Sequence, residues 1–228
     1  MSLLEVNSLS ASYGQGQVLV DINFSVSEGS VVALMGRNGM GKTSIIKCIC
    51  GMMDSKQGEI KFCKENIINK KSFQISNLGI GLTPEGRRIF GNLTVWENLR
   101  VVERKGNWSN RRVLDLFPRL RDRKNQLGNT LSGGEQQMLS IGRALITNPK
   151  LLILDEATEG LAPFIQEEIW KVLTSIKEEG MSILIVDKSL KKLSNLADYF
   201  YLVVKGEIGW QGEYKEISEE TIRRYLSV

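Results

Sequence analysis

The sequence predicts an α/β fold, with a mainly parallel sheet in its core, a small antiparallel β subdomain and an inserted helical subdomain. Three observations carry this. Continuous apolar runs, "VVALM" (31–35), "LLILD" (151–155), "SILIVD" (182–187) and "YFYLVV" (199–204), match strands buried on both faces, as a parallel sheet requires. Between two of them, "APFIQEEIWKVLTSIKEEG" (162–180) has the spacing of an amphipathic helix that ends at Gly180. The first 30 residues instead alternate apolar and polar, with turn signals at Gly14, Gly16 and Glu28-Gly29.

Taken in order, residues 1–30 and "GEIKFCKENI" (about 58–67) supply the antiparallel subdomain. The run "VVALM" meets glycines and is followed by "TSIIKCICGM" (43–52), which has helical spacing. Strand, helix and strand in this order indicate right-handed crossovers. From about 92 to 140 the chain is mostly helical in pattern, through "TVWENLRVVERK" and "RRVLDLFPRLRDRK". The expected organisation is one domain over 1–228: a β subdomain (1–30 and about 58–67), a core (about 31–57, 68–90 and 141–228) and a helical subdomain (about 91–140).

Bulk properties narrow the class. A chain of 228 residues with 42% hydrophobic and 25% charged content is ordinary for a globular protein, which excludes disorder. No apolar run approaches the length of a membrane helix, and no basic segment followed by an apolar stretch opens the chain, so no secretion signal is expected. Cys48 and Cys50 are spaced C-x-C, Cys63 stands alone and there is no histidine, which argues against zinc. All three are expected as buried free thiols. A net charge of +4 is too mild to imply nucleic acid.

"GRNGMGKT", Gly36 to Thr43, is the phosphate-loop pattern G-x-x-x-x-G-K-[ST], placed between a strand and a helix. Glycines let successive backbone N–H groups turn inward around an anion, and the helix start adds its dipole. Gly36, Arg37, Asn38, Gly39, Met40, Gly41, Lys42, Thr43 and Ser44 are therefore candidate nucleotide contacts. Lys42 reaches the β/γ-phosphates, and the Thr43 hydroxyl holds Mg²⁺. "LLILDE" is a strand ending in acid: Asp155 suits the Mg²⁺ shell, and Glu156 suits orienting or deprotonating an attacking water.

These elements define an NTPase without saying which. "LSGGEQQMLSIGRAL" (131–145) resembles the signature sequence of the ATP-binding cassette (ABC) ATPases. Ser132, Gly133 and Gly134 precede a helix whose N-terminus can receive phosphate, and Glu135 belongs to the same group of candidate contacts. The resemblance covers essentially the whole chain and implies a RecA-like P-loop NTPase core with ATP and Mg²⁺ as ligands. It further implies a dimer in which this surface meets the γ-phosphate held by the partner's P-loop. Tyr13 falls where the family stacks an aromatic on adenine, although a strand tyrosine alone reads more often as packing. "EGLA" (159–162) matches the D-loop, which contacts the partner, and "GLTPEGRRIFGNLTVWENL" (81–99) matches the Q-loop and the start of the helical subdomain. "PEGRR", "LTVWENL" and "EGLAP" resemble one branch, the LivF-type ATPases of branched-chain amino-acid importers.

Two positions depart from the family pattern. The Q-loop glutamine is replaced by Glu85, as in the LivF-type branch, which adds Glu85 to the catalytic and metal-binding candidates. The switch histidine is replaced by Lys188, which departs even from the branch. A lysine can still donate to the γ-phosphate and brings full charge. Because both loops flank that phosphate in the family, Glu85 and Lys188 are expected to act as a charge-compensating pair. The alternative is that Lys188 turns to solvent and leaves the chemistry to Glu156.

Between Arg100 and Lys124 nine basic residues face three acidic ones. A solvated basic face, a nucleic-acid surface and a surface near the anionic inner leaflet all fit this run. The resemblance favours the last, with the helical subdomain docking a permease loop. The expected function is ATP hydrolysis that powers an importer of branched-chain or other amino acids, at the cytoplasmic side of the cell membrane. Implied partners are membrane permease chains, a second ABC ATPase chain or a second copy, and indirectly a solute-binding protein. No nucleic acid is expected. The rivals are a DNA- or ribosome-associated ABC ATPase, a regulatory module without turnover, and the ATPase of a urea or amide importer.

Overall fold

The computed structural model describes residues 1–226; the last two residues of the expected core segment lie outside the described residues. Ten strands are assigned among them: β1 (Ser2–Tyr13), β2 (Gly16–Ser27), β3 (Val31–Met35), β4 (Lys56–Phe62), β5 (Glu65–Asn66), β6 (Ile80–Thr83), β7 (Leu151–Asp155), β8 (Ser182–Val186), β9 (Tyr199–Val204) and β10 (Glu207–Gly212). The α-helices are α1 (Lys42–Ile49), α2 (Ser72–Leu78), α3 (Val95–Arg100), α4 (Asn110–Leu116), α5 (Pro118–Asp122), α6 (Gly133–Leu145), α7 (Pro163–Glu178), α8 (Leu190–Leu196) and α9 (Glu219–Tyr225).

The central sheet runs β10-β9-β3-β8-β7-β6, and β1, β2, β4 and β5 form a second sheet in the order β2-β1-β4-β5. Pairings among β9, β3, β8, β7 and β6 are parallel, while β10 adds antiparallel to β9. The apolar runs have a physical reason. Val31, Ala33 and Met35 of β3 face one core, with Leu152, Leu154, Ile183 and Ile185, beneath α3 to α8. Val32 and Leu34 face a second core, with Ile153, Leu184, Val186 and Val203, against α1 and the antiparallel sheet. These strands are apolar almost throughout because both faces are covered, with polar residues only at their ends, Asp155 on β7 and Ser182 on β8.

The structure extends and corrects the sequence expectations in several places. The edge strands β6 and β10 were not foreseen, nor were α2, α8 and α9. β6 has only four residues, within a stretch read for its loop. The segment 58–67 forms a hairpin, turning at Cys63 and Lys64, both with positive φ (51° and 68°). At this turn Cys63 is exposed, contrary to expectation, while Cys48 and Cys50 are buried. The helical region is broken into short pieces. Ser109 caps α4 and Pro118 opens α5, each forcing a restart. Part of the basic stretch is paired within the fold: Arg111 and Arg121 pair with Asp115, Arg112 with Glu179, Arg119 with Glu168 and Arg123 with Glu135.

Candidate functional site

β3, β7 and β8 end on the same side of the parallel sheet, as do the loops after β6 and β1. A parallel sheet brings all its C-terminal strand ends to one edge, which is where such folds place ligands. A cavity of about 410 Å³ opens there, lined by Tyr13, Val18, Asn38, Gly39, Gly41, Lys42, Thr43, Ser44, Glu85 and Glu156.

The P-loop wraps its floor. Gly36 sits at φ 147°, where a Cβ would lie 2.3 Å from the Val203 carbonyl oxygen, so only glycine fits. No side chain caps the N-terminus of α1, whose N-cap is Gly41 at φ 107°. The amides of its first turn are left to a ligand, in the helix-start arrangement that favours phosphate. Lys42 is buried, and its ammonium donates to the carbonyls of Gly36 (2.8 Å) and Arg37 (2.9 Å). Burial holds its pKa below the usual lysine value, partly opposed by the nearby Glu156. Arg37, Asn38 and Gly39 are exposed along the loop. Met40 anchors it instead of lining the cavity: its carbonyl accepts from Gly206 N at 3.0 Å. Tyr13 closes the far end, half-exposed, with Lys47 donating to its hydroxyl at 3.2 Å.

Asp155 ends β7 almost fully buried, accepting from the Thr43 hydroxyl at 3.4 Å. Burial pushes its carboxyl above the usual range, and the Glu85 charge pushes in the same direction. Glu156 follows in a left-handed conformation (φ 52°), unusual for a residue with a side chain, which turns it out of the strand and toward the cavity. Its pKa is pushed up to about 7, first by burial and then by its hydrogen bond to Glu159.

Lys188 is exposed just beyond β8, with its side chain turned toward the D-loop. Its ammonium forms an ion pair with Glu159 of the D-loop. That pair raises the lysine pKa and lowers that of Glu159. Beside it the Thr158 hydroxyl donates to the buried Asp187 carboxylate at 2.5 Å, so the switch and D-loop segments are clasped twice. The acid that compensates Lys188 is therefore Glu159 and not Glu85.

The signature residues stand apart from this cavity. Ser132 caps α6, its hydroxyl accepting from Glu135 N at 3.3 Å while its own amide donates to the Glu135 carboxylate at 2.8 Å. Ser132 is exposed and Gly133 half-buried, but Gly134 is buried, where a Cβ would come within 2.7 Å of Ile165 on α7. Glu135 is also buried and salt-bridged to Arg123 at 2.7 Å, so it braces the start of α6.

A buried lysine at an uncapped helix start, beside a strand-end carboxylate pair, defines a P-loop nucleotide-binding protein. Residues 19–159 match the family model described as ABC transporter, and this chain belongs to that family. It is 39% identical to the high-affinity branched-chain amino acid transport ATP-binding protein BraG of Pseudomonas aeruginosa, across 90% of this chain and 91% of that protein. Against the probable branched-chain amino acid transport ATP-binding protein LivF of Archaeoglobus fulgidus it is 31% identical, with 95% and 94% covered. The lipopolysaccharide export system ATP-binding protein LptB of Haemophilus influenzae shares 32% identity, with 98% and 96% covered. Among solved structures, a nucleotide-free ATP-binding cassette from an ABC transporter superposes with a TM-score of 0.84 at 27% identity, covering 100% of this chain and 96% of that one. The ADP conformation of such a cassette gives 0.82 at 27% identity, covering 100% and 95%. No helix among the described residues is long and apolar enough to cross a membrane.

Proposed function

We propose that this chain is the ATP-hydrolysing subunit of an importer for branched-chain or other amino acids, held at the cytoplasmic face of the cell membrane by separate permease chains. The observation that carries the cargo class is its 39% identity with BraG over nine-tenths of both chains. Relatives named for lipopolysaccharide export share 32% identity, so the cassette itself is a weak reporter of cargo. Cargo is selected by the permease and its solute-binding protein.

In this reading ATP lies in the Tyr13–Glu156 cavity, with the adenine on the Tyr13 ring and the phosphates along the P-loop. Lys42 exchanges its two carbonyl contacts for β/γ-phosphate oxygens. Thr43 and Asp155 supply hydroxyl and carboxylate oxygens, the donors that magnesium takes, and Glu85 stands at the same cavity. Mg²⁺, when bound there, would neutralise phosphate charge and polarise the terminal phosphoryl group. Glu156 accepts a proton from a water as its oxygen attacks the terminal phosphorus, and the bond to the bridging oxygen breaks to leave ADP. Lys188 acts through Glu159, fixing the D-loop that follows Glu156.

The signature surface faces outward and away from this cavity, which supports a head-to-tail pair of cassettes, each completing the other's site. The helical residues, about 91–140, then act as a lobe that transmits closure. A groove of about 410 Å³ beside β6, walled by Phe73, Leu82 and Val102 and rimmed by Arg88 and Arg143, is the surface on which a permease loop would dock. The test is reconstitution in vesicles with permease chains of a branched-chain amino-acid importer. Leucine uptake that requires Glu156 supports the assignment; uptake of urea or a short amide in its place overturns the cargo class and keeps the ATPase.

A further inference from the structure

We infer that Arg87 is a nucleotide-binding residue that acts in trans, contacting the terminal phosphate of ATP held by a second copy of this chain. The inference rests on the proposed head-to-tail arrangement and adds to it a residue outside the P-loop and signature sequences.

Arg87 lies on the loop between β6 and α3, which makes an abrupt turn: Gly86 has φ 85° and Arg87 itself φ 51°. A left-handed backbone costs a residue with a side chain about 1 kcal/mol or more, and such conformations concentrate at functional sites. The turn divides the loop between two faces. Glu85 lines this chain's own nucleotide cavity, whereas Arg87, two residues on, is absent from its walls. The guanidinium instead lies over the start of the signature helix. A Cβ placed on Gly133 would stand 2.2 Å from Nη1 and 2.9 Å from Cζ, and one placed on Gly160 of the D-loop 3.9 Å from Nη2. Three segments, the loop after β6, the signature and the D-loop, thus meet at one cation.

That cation has no acidic partner among the described residues. The acids of the signature and D-loop segments are engaged elsewhere: Glu135 with Arg123 and the Ser132 amide, and Glu159 with Lys188. A positive charge at a helix N-terminus is also opposed by the helix dipole. Arg87 and the first turn of α6 therefore concentrate positive potential on an outward surface that this chain does not neutralise. The ligand that matches is a phosphate oxygen pair, which a guanidinium binds bidentately. Since the chain's own nucleotide sits in a different cavity, the phosphate comes from a neighbour.

The test uses full-length chains carrying Glu156→Gln, which hold ATP without turning it over. Self-association is measured by sedimentation with Mg-ATP and with Mg-ADP. Adding Arg87→Ala is expected to weaken the ATP-driven dimer about tenfold or more, the worth of a charge-assisted hydrogen bond, with fluorescent-ATP affinity of the single chain retained. Arg87→Lys should restore part of the loss, and the ADP data should not change. Mixed pairs locate the effect. A Lys42→Ala chain with intact Arg87 should associate with an Arg87→Ala chain more tightly than a Lys42→Ala, Arg87→Ala chain associates with an unaltered one. Equal association of the Arg87 variants and their parent overturns the assignment of Arg87. Equal association of the two mixed pairs overturns its action in trans. Failure of the parent to dimerise with ATP overturns the head-to-tail arrangement beneath it.

Discussion

The molecule has two glycine-rich helix starts, at α1 and α6, and they are finished differently. At α1 no side chain caps the first turn, Lys42 is parked on two loop carbonyls, and a walled cavity lies in front. At α6 the cap is complete, with Ser132 and Glu135 satisfying each other, and the surface in front is open. An uncapped helix start surrounded by its own walls binds a ligand alone. A capped one on an open face contributes only when something is brought to it. In the proposed head-to-tail arrangement, the difference makes one half of the nucleotide site a pocket and the other a docking face.

The largest expected effect separates the halves by function. Lys42→Ala should abolish nucleotide binding to the single chain, whereas Ser132→Arg should leave that binding intact; both should lower ATP turnover about a hundredfold or more. Glu156→Gln should match that loss of turnover with binding retained. Fluorescent-nucleotide titration and phosphate release measure the two quantities. If Ser132→Arg abolished binding to the single chain, the two faces would not be separable.

Next in size is the same substitution placed at the two starts. In Gly36→Ala the new methyl meets the Val203 backbone 2.3 Å away, in a strand that cannot retreat, at a φ of 147° that alanine resists. A loss of roughly 3 kcal/mol in denaturant unfolding is expected. In Gly133→Ala the obstacle is the flexible end of Arg87, which can swing away, so the loss should stay below about 1 kcal/mol. Similar losses at both sites would mean that Arg87 is held as rigidly as a core strand.

The contrast also explains what could be read from residues alone. The P-loop, Asp155 and Glu156 were legible because strand and glycine chemistry fix their local geometry: a buried strand must end, and glycines must follow. The central strands were legible because burial on both faces demands unbroken apolar runs. β6 was not, since four residues at a sheet edge carry too little pattern. Arg87 was missed because its role depends on Gly133 and Gly160, far along the chain, and the only local signal was the Gly86 that permits the turn. Cys63 was misplaced because a hairpin turn inside an alternating run looks like more strand. Glu135 was assigned to the ligand surface by its place in the signature, while its capping and its pairing with Arg123 are tertiary facts.

The smallest expected effect concerns Lys188, where the sequence pointed to Glu85 and the fold supplies Glu159. Both members of the Lys188–Glu159 pair are a little under half exposed (43% and 47%), so solvent screens the attraction and the coupling in unfolding free energy should not exceed about 1 kcal/mol. In a cycle of Lys188→Gln, Glu159→Gln and the double variant, non-additivity should appear in ATP turnover, because Glu159 also hydrogen-bonds Glu156. The parallel cycle of Lys188→Gln with Glu85→Gln should be additive within about 0.5 kcal/mol, since the Glu85 charge acts on Asp155 and not on the lysine. The reverse result, coupling through Glu85 and none through Glu159, would place Lys188 at the phosphate and return the switch position to a donor's role. The Lys188 ammonium is therefore compensated on the D-loop side: it is paired with a carboxylate three residues beyond Glu156, and the P-loop cavity keeps Lys42 as the buried cation on its wall.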